Sequence, residues 1–253
     1  RRIDGPVQLI WTREDDLQHD YYRPMATSQL EAVVSADGKV QAWQHDVAAI
    51  ATAPHNFIIA SRTDGSGNFV AHLGADETNY TFGNFLARGS FLDTPLKVGI
   101  LRGISHGYTN FAGEVFIDEL AEKSGKDPID FRFRNMSETS RGYRVLEKLQ
   151  QLVGGADVPQ GYHMGIGYGF EGTANSNYQY HNAVAAYVRR TPEGGVRVEK
   201  IVAVFDHGFV VNRECFKRQV EGGVMFALSM MFYDKITVAE GAVIESNFDS
   251  YRI

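Results

Sequence analysis

The stretch whose residue types could most directly do chemistry runs from Leu101 to Gly107 and reads LRGISHG. An apolar segment ends at Arg102-Gly103, a polar turn follows, and apolar residues at helical spacing then predict a helix over Phe111 to Lys123. The first N–H groups of a helix have no acceptor within it, and the helix dipole is positive at this end. Such a turn can therefore bind an anion through backbone donors.

A second stretch, Gly167 to Gly172, matches the G-x-G-x-x-G pattern of dinucleotide-binding proteins. In those proteins the glycines close a strand and open a helix. Here Thr173 to Asn177 follows, which is a poor helix start, and no βαβ unit surrounds the motif. We expect a flexible or closely packed loop. A nicotinamide-dependent dehydrogenase is the rival function, and it requires a strand–turn–helix at these glycines.

Other reactive residue types give weaker signals. The eight histidines include no H-E-x-x-H pair, which argues against zinc chemistry. The one cysteine, Cys215, excludes a disulfide within the chain and any iron–sulfur or zinc site that needs several of its thiolates. We expect Cys215 to be a buried structural residue, with a thiolate nucleophile at a helix start as the alternative. The acidic pairs Asp15-Asp16 and Asp118-Glu119 are expected on solvated faces.

The composition bounds the class of protein. The chain has 253 residues, of which 43% are hydrophobic and 22% are charged, enough for a substantial core in one large or two smaller domains. Its net charge of −6 argues against non-specific nucleic-acid binding. No apolar run approaches the roughly 18 residues of a membrane span. The chain starts at Arg1 with no visible signal peptide, so we expect a processed, truncated or partial start, and periplasm and cytoplasm both stay open.

The elements that must position these residues mix strands and helices without strict βαβ alternation, which predicts an α+β fold. Glycine and proline near residues 156–159 predict a boundary between two halves, residues 1–157 and 158–253. Residues 53–92 give no long period and are interpreted as loops with short strands. The expected strands are Val7 to Arg13, Gln29 to Val34, Val40 to Val47, Leu96 to Leu101, Asn182 to Arg190 and Val196 to Phe205, with a last hairpin of Ile236 to Val238 and Val243 to Asn247.

Helix signals follow the turn region. Gly125 stands just past the expected end of the Phe111 helix, and Asp127-Pro128 then begins a second helix as N-cap and first residue. A third helix is expected over Tyr143 to Val153. Asn212 caps a long helix that ends near Phe232, with a buried stripe expected at Val220, Val224, Ala227, Leu228 and Met231.

Five separate stretches, in order across nearly the whole chain, resemble motifs of one family. On them the chain is identified as a member of the molybdenum hydroxylases, the xanthine dehydrogenase and aldehyde oxidase family, and it most resembles large (beta) subunits of the isoquinoline 1-oxidoreductase type. The five stretches are Pro6 to Pro24 with its TRED and RP motifs, Arg102 to His106 with Phe116 to Ala121, the GKDPIDFR stretch Gly125 to Arg132, Asp206 to Asn212 leading into Gln219 to Gly223, and Ser246 to Ile253.

The resemblance implies cofactor-binding residues. The turn formed by Arg102, Gly103, Ile104, Ser105 and His106 would offer backbone N–H groups to the oxo and sulfido ligands of molybdenum, with no direct metal ligand from this chain. An ion pair on the surface or between domains is the alternative role for Arg102.

The same resemblance implies that Gln219 hydrogen-bonds the pterin. It also implies that Glu221 and Gly222, with Gly223, let a helix come close to the cofactor. The alternative for the two glycines is helix–helix packing, because a helical glycine costs about 1 kcal/mol and needs a reason.

Three residues are implied toward the substrate. Arg23 matches an arginine that orients substrate in some members, and a salt bridge to Asp20 or Glu14 is its alternative. Tyr168 and Ile104 match opposite walls of the substrate channel, which would sandwich a flat heteroaromatic ring. Core packing is the alternative for both residues.

The chain also departs from the family pattern. The glycine-rich pterin loop G-G-x-F-G and the G-Q-G motif are missing, and the catalytic glutamate of a G-x-G-E motif is expected beyond Ile253, so no catalytic residue is assigned here. We therefore expect a fragment, or one chain of a split subunit, that is inactive alone.

The resemblance implies a parent protein that hydroxylates an aldehyde or an N-heteroaromatic carbon, using water as the oxygen source. The implied cofactor is molybdopterin with molybdenum, in the cytosine dinucleotide form. The implied partners are a small subunit that carries 2Fe–2S clusters and the remaining part of the large subunit. The alternative is a non-catalytic structural fragment of such a complex.

Overall fold

The computed structural model describes residues 5–50, 72–92, 94–154, 158, 160–172 and 178–253. The chain falls into two compact units. Unit 1 comprises Arg1–Arg23, Pro95–Gly99 and Val210–Ile253, and unit 2 comprises Pro24–Thr94 and Ile100–Phe209. The division into residues 1–157 and 158–253 stays a prediction, and most of its boundary lies outside the described residues.

The first sheet of unit 2 contains the hairpin expected from the sequence. Strands β1 (Ala26–Val34) and β2 (Val40–Ile50) are antiparallel, and β3 (Asn84–Leu92) lies parallel to β2 on its other side. The turn at Ala36-Asp37-Gly38 is confirmed, with Gly38 at φ +89°, a backbone conformation that favours glycine. Strand β3 and part of the preceding loop fall in the segment without a period, of which residues 53–71 lie outside the described part of the chain.

The second sheet is antiparallel throughout and joins β4 (His163–Glu171), β5 (Tyr180–Arg190) and β6 (Val196–Asp206). Both predicted strands β5 and β6 are confirmed. The loop expected at Gly167 to Gly172 is wrong, because β4 runs through these glycines. Glycines alternate here with Met164, Ile166, Tyr168 and Phe170, so the large side chains share one face of the strand. No turn into a helix occurs within the motif, which rejects the nicotinamide reading.

Three helices of unit 2 begin where local capping signals place them or close by. Helix α2 (His106–Lys123) begins five residues before the predicted start, and Gly125 follows its end at φ +62°. Asp127 caps α3 (Pro128–Arg134) as predicted, since its carboxylate accepts the N–H groups of Ile129 at 2.8 Å and Asp130 at 3.1 Å. Helix α4 (Arg141–Val153) is capped by the Ser140 hydroxyl.

The core of unit 2 forms where α4 packs on β5 and β6 and where α2 packs on β1 and β4. Both contacts bury aliphatic and aromatic side chains, which supply most of the stabilisation. The two main clusters include Leu146, Leu149, Ala183, Ala185 and Tyr168 in one, and Val40, Trp43, Ile117, Ala121 and Phe131 in the other.

A fully buried arginine, Arg132 of α3, joins these elements. Its Nε donates to the Glu114 carboxylate at 3.0 Å, its Nη1 to Asp118 at 2.6 Å, and its Nη2 to the Ile166 carbonyl of β4 at 3.1 Å. Glu114 also accepts the Tyr80 hydroxyl at 2.8 Å. Burial lowers the pKa of Arg132, but Glu114 and the other neighbouring acids outweigh it and raise the pKa. Asp118 is an ion-pair partner of Arg132, although its side chain is still 41% exposed, as expected for a solvated face.

Two strands predicted for the region of unit 1 are wrong. Residues 7–12 form no strand, and Thr12 instead begins α1 (Arg13–His19) with a capping box. The Asp15 N–H donates to the Thr12 hydroxyl at 3.2 Å, and the Thr12 N–H donates to the Asp15 carboxylate at 3.1 Å. Leu96 to Leu101 forms no strand either, only a bridge between Val98 and Tyr22.

The long helix of unit 1, α5 (Arg213–Phe232), has the predicted start, because the Asn212 side chain accepts the Cys215 N–H at 3.0 Å. Its predicted buried stripe is wrong, since α5 buries none of its residues and Met231 is 61% exposed. Cys215 is exposed, which contradicts the expected buried residue. Among the described residues of unit 1, Val98 is the one buried hydrophobic side chain, so the stripe has no core to join.

The last hairpin of unit 1 is confirmed but shorter than predicted. It pairs β7 (Val238–Ala239) with β8 (Ala242–Val243), and the turn places Glu240 at φ +50° and Gly241 at φ +80°. Helix α1 contacts β8. In the described part of the chain, no helix combines the length and apolar character needed to cross a membrane.

We expect Arg132→Met to lower the free energy of unfolding by about 3–5 kcal/mol, because it leaves two carboxylates without their buried partner. The matched control is Arg134→Met on the same helix, where the side chain is exposed and the change should be about 0.5 kcal/mol or less. Denaturant unfolding followed by circular dichroism measures both. Equal midpoints for the two variants would contradict a stabilising role for Arg132.

Candidate functional site

The turn predicted from the sequence lies at the N-terminus of α2 in unit 2. Gly103 has φ +89° and Ile104 has φ +50°, so two consecutive residues are left-handed, and the second is β-branched and strained. The Ile104 N–H donates to the Leu101 carbonyl at 2.8 Å, and the His106 N–H donates to the Gly103 carbonyl at 3.0 Å. Gly103 and Ile104 are exposed while Ser105 is buried, so the turn presents its middle to solvent.

The donor groups of this turn suit an electron-rich ligand. Ser105 is the N-cap residue of α2, but its side chain makes no capping hydrogen bond. The N–H groups of Gly103 and Gly107 donate to no acceptor in the part of the chain that the structure describes. The space beside Gly103 is open, with nothing within 4 Å of where a Cβ would stand. Backbone donors with an open approach fit an oxo-bearing or anionic group.

The His106 side chain faces Glu77, a residue that the sequence interpretation did not single out. The His106 Nε2 lies 3.1 Å from the Glu77 Oε2, and each side chain is 13% exposed. Burial lowers the pKa of His106, but the hydrogen bond and the charge of Glu77 outweigh burial and raise it. Burial raises the pKa of Glu77, but the donors His106 and Gly172 outweigh it and lower the pKa. Both shifts favour the charged forms of His106 and Glu77, as expected for an ion pair.

The segment before Glu77 braces the same helical turn. The Thr109 hydroxyl donates to the Leu73 carbonyl at 2.7 Å. Gly74 approaches α2 so closely that a Cβ there would lie 2.6 Å from the Thr109 hydroxyl and 2.9 Å from the His106 ring. These contacts join segments more than 25 residues apart, and no local pattern signals them.

Tyr168 occupies the core position that was its alternative. The side chain is 4% exposed, its hydroxyl bonds the His181 Nδ1 at 2.8 Å, and burial raises its pKa. The cavity beside it has a volume of about 40 Å³, which suits about one water molecule rather than a heteroaromatic ring. Ile104, in contrast, is 39% exposed. A channel-wall role for the two residues stays a prediction.

His181 lies beside Tyr168 in a part of unit 2 that is shielded from solvent. It is fully buried, and its Nε2 has no partner among the described residues. Burial, with a smaller effect of the Arg141 charge, lowers the pKa of His181 to about 4. The ring is therefore neutral at physiological pH.

The remaining predicted site residues belong to unit 1. Gln219, Glu221 and Gly222 are exposed on α5, and nothing lies within 4 Å of where a Gly222 Cβ would stand. Helix packing against Gly222 is therefore not seen in the described residues. The Glu221 Oε1 lies 3.8 Å from the Lys217 Nζ of the same helix.

Arg23 is also exposed, and its Nη1 lies 3.7 Å from the Met230 sulfur. It forms no ion pair with Asp20 or Glu14, so the salt-bridge alternative is not realised. Within the described ranges, no group of three or more His, Cys, Asp or Glu side chains is arranged to hold a metal ion.

We expect the His106 imidazole to titrate above its ordinary pKa of 6.5, and Glu77→Gln to lower that midpoint. Because the folded pKa is raised, the stabilisation from this pair is full below the unfolded pKa and is lost as the pH rises through the folded pKa. Histidine ring NMR of the folded protein measures the midpoint. Glu119→Gln, an exposed acid of α2, is the control and should leave the midpoint unchanged.

We expect Gly142→Ala to destabilise the protein by about 1–3 kcal/mol, although alanine is the better helix former. A Cβ at this position of α4 would overlap the Tyr168 hydroxyl and the Asn79 side-chain oxygen. Gly165→Ala on β4 is the control, because no described atom lies within 4 Å of where its Cβ would stand. A thermal shift assay would reject this close packing if the Gly142 variant were as stable as the wild type.

Known structures share the fold of this chain. Quinoline 2-oxidoreductase from Pseudomonas putida 86 superposes with a TM-score of 0.74 over 96% of this chain and 55% of its own, at 10% sequence identity. At that identity the likeness concerns the fold alone. It confirms the predicted α+β class together with the mixed sheets and helices described above.

Two curated relatives match almost the full chain in sequence. Isoquinoline 1-oxidoreductase subunit beta of Brevundimonas diminuta is 28% identical over 99% of this chain and 32% of its own length. A membrane-bound aldehyde dehydrogenase (pyrroloquinoline-quinone) of Gluconacetobacter polyoxogenes is 26% identical over 97% of this chain and 34% of its own length. The chain thus spans about a third of the length of these relatives.

Family models described as molybdopterin cofactor-binding domains match residues 1–136 and residues 118–253. Together these matches extend over the whole chain and include the turn at Arg102 to His106 as well as α5. The resemblance to molybdenum hydroxylase large subunits is confirmed. This chain belongs to the molybdopterin cofactor-binding domain family.

Proposed function

We propose that this chain is part of the large subunit of a molybdenum hydroxylase that oxidises an aldehyde or an N-heteroaromatic carbon, with water as the oxygen source. The observation that carries the proposal is the match of molybdopterin cofactor-binding domain models to both parts of the chain. The relatives named for isoquinoline and aldehyde oxidation support the two substrate classes.

Cofactor contacts are proposed for Arg102, Gly103, Ile104, Ser105 and His106 of unit 2. On unit 1, considered by itself, they are proposed for Gln219, Glu221 and Gly222. Two observations support a bound electron-rich group at the turn: the Gly103 and Gly107 N–H groups donate to no backbone acceptor among the described residues, and the space beside Gly103 is open there. The exposed amide of Gln219 can both donate and accept, as a pterin edge requires. When bound, molybdopterin supplies two-electron oxidation chemistry at its molybdenum.

Substrate contact is proposed for Ile104 and Arg23, whose side chains are exposed. Ile104 offers an aliphatic surface for a flat ring, and Arg23 offers a cation and planar donors for a polar group. A wall of the substrate channel is also proposed for Tyr168, whose ring is buried and whose hydroxyl is bonded to His181.

The proposed partners follow from what the chain contains. One cysteine cannot ligate a 2Fe–2S cluster, so we assign such clusters to a separate small subunit. The name of the Brevundimonas relative as a beta subunit supports a heteromeric complex. Apolar side chains of unit 1 stay exposed, including Trp11 at 63% and Val211 at 88%, and we propose that the remaining part of the large subunit covers them. The cytosine dinucleotide form of the cofactor is also part of this proposal.

We expect the complete protein, purified natively, to contain about one molybdenum and one cytidine nucleotide per large subunit. Plasma mass spectrometry measures the metal, and chromatography after acid hydrolysis measures the nucleotide. Gly103→Ala should lower the molybdenum content several-fold. A residue with a side chain is strained at φ +89°, and the added methyl group would occupy space in the Arg102–His106 turn.

The matched control is Gly125→Ala at the opposite end of α2, about 27 Å away. Gly125 is also left-handed, at φ +62°, and nothing among the described residues lies within 4 Å of its Cβ position, so the variant controls for a side chain at a left-handed glycine. A protein without molybdenum would refute the cofactor proposal and favour a structural fragment. Equal losses in both variants would refute the assignment of the turn.

A further inference from the structure

The left-handed conformation of Ile104 needs an external support. A β-branched residue at φ +50° is strained, and such strain persists only where surrounding contacts fix the backbone. The two hydrogen bonds within the turn fix its shape but do not fix its position on unit 2. The last residue of the turn, His106, reaches another segment through its side chain, whose Nε2 lies 3.1 Å from the Glu77 Oε2.

Glu77 meets His106 at a junction of three segments. One carboxylate oxygen, Oε2, lies 3.1 Å from the His106 Nε2 and also accepts the Gly172 N–H at 3.1 Å. Gly172 is buried and follows the end of β4, with φ +132°. Glu77 thus ties the start of α2 and the end of β4 to the segment that carries Gly74.

The surroundings make this contact strong and specific. Both side chains are 13% exposed, so solvent screens the pair far less than a surface ion pair. Other titratable groups nearby are His72 and Asp76, whose Nε2 and Oδ2 lie 3.7 Å apart, and Glu171 at the end of β4. Gly74 packs closely against one side of the His106 ring, since a Cβ on Gly74 would lie 2.9 Å from it.

We propose that Glu77 is a positioning residue, which fixes the Arg102–His106 turn for cofactor binding by holding the His106 imidazole. His106 then serves the site through its backbone position, because the Nε2 of its ring is committed to Glu77. The link to cofactor binding rests on the proposed function, whereas the Glu77–His106–Gly172 junction does not.

The test uses the complete protein, three single variants and one double variant. Glu77→Gln and His106→Gln each remove one side of the pair, and Glu119→Gln is the control on the exposed face of α2. Hydrogen exchange by mass spectrometry reports on the peptide that spans residues 101–110. We expect about tenfold faster exchange there in both pair variants and no change in the control or in the β1–β2 hairpin. Combining the two pair variants should add little to either one.

Molybdenum content and the Mo(V) electron paramagnetic resonance signal are measured on the same samples. We expect a several-fold loss of molybdenum in the pair variants and shifted g-values in the fraction that remains. Unchanged exchange in the turn would overturn the junction, and faster exchange with unchanged metal content and g-values would overturn the positioning role. A wild type without molybdenum would refute the proposed function instead, and the exchange data would still decide whether Glu77 holds the turn.

Discussion

The buried guanidinium of Arg132 is the interaction on which the arrangement of unit 2 depends. It has five N–H donors and no way to lose its charge, so every direction around it must present an acceptor. Glu114 and Asp118 of α2 supply two carboxylates, and the Ile166 carbonyl supplies a backbone acceptor from β4. Because these partners lie on different elements, α2, α3 and β4 must hold one relative position for the charge to be satisfied. The helix that carries the donor turn is fixed in this way.

The two units differ in how they obtain stability. Unit 2 buries two large clusters around α2 and α4, which is the ordinary basis of a stable domain. In unit 1, the capping box of α1 and the Asn212 cap of α5 satisfy backbone groups, but neither helix buries a side chain. Caps contribute about 1 kcal/mol each, far less than burial of several large apolar residues. The surface that carries Gln219 and Gly222 is therefore built on a helix whose apolar stripe still lacks a covering layer.

Elements with strong local signals could be predicted from the sequence, and elements that depend on distant contacts could not. Asp127-Pro128, Gly125 and Asn212 marked helix ends correctly, because a cap involves residues only a few positions apart. The apolar run before Arg13 predicts a strand, but the capping box at Thr12 starts a helix directly after it.

The candidate site likewise has features with local sequence signals and features that depend on distant contacts. The turn itself was found, since glycine and a helix pattern mark it. The β4 strand was missed because its glycines suggested a loop, although their alternation with large residues has the period of a strand. The roles of Glu77, Gly74 and Arg132 arise from pairs separated by 14 to 95 residues, and no spacing rule contains them.

The Arg102–His106 turn can be both strained and exposed because α2 is held at two points. Arg132 forms ion pairs with Glu114 and Asp118, which lie one helical turn apart in the middle of α2. Glu77 contacts His106, the first residue of the helix. An α-helix held at two points behaves as a rigid element, so the residues just before it inherit a fixed position. If this turn binds the cofactor as proposed, the N–H groups of Gly103 and Gly107 would already be oriented, and binding would not have to supply the cost of ordering them. Buried charge in the interior thus determines the geometry of uncharged donors at the surface.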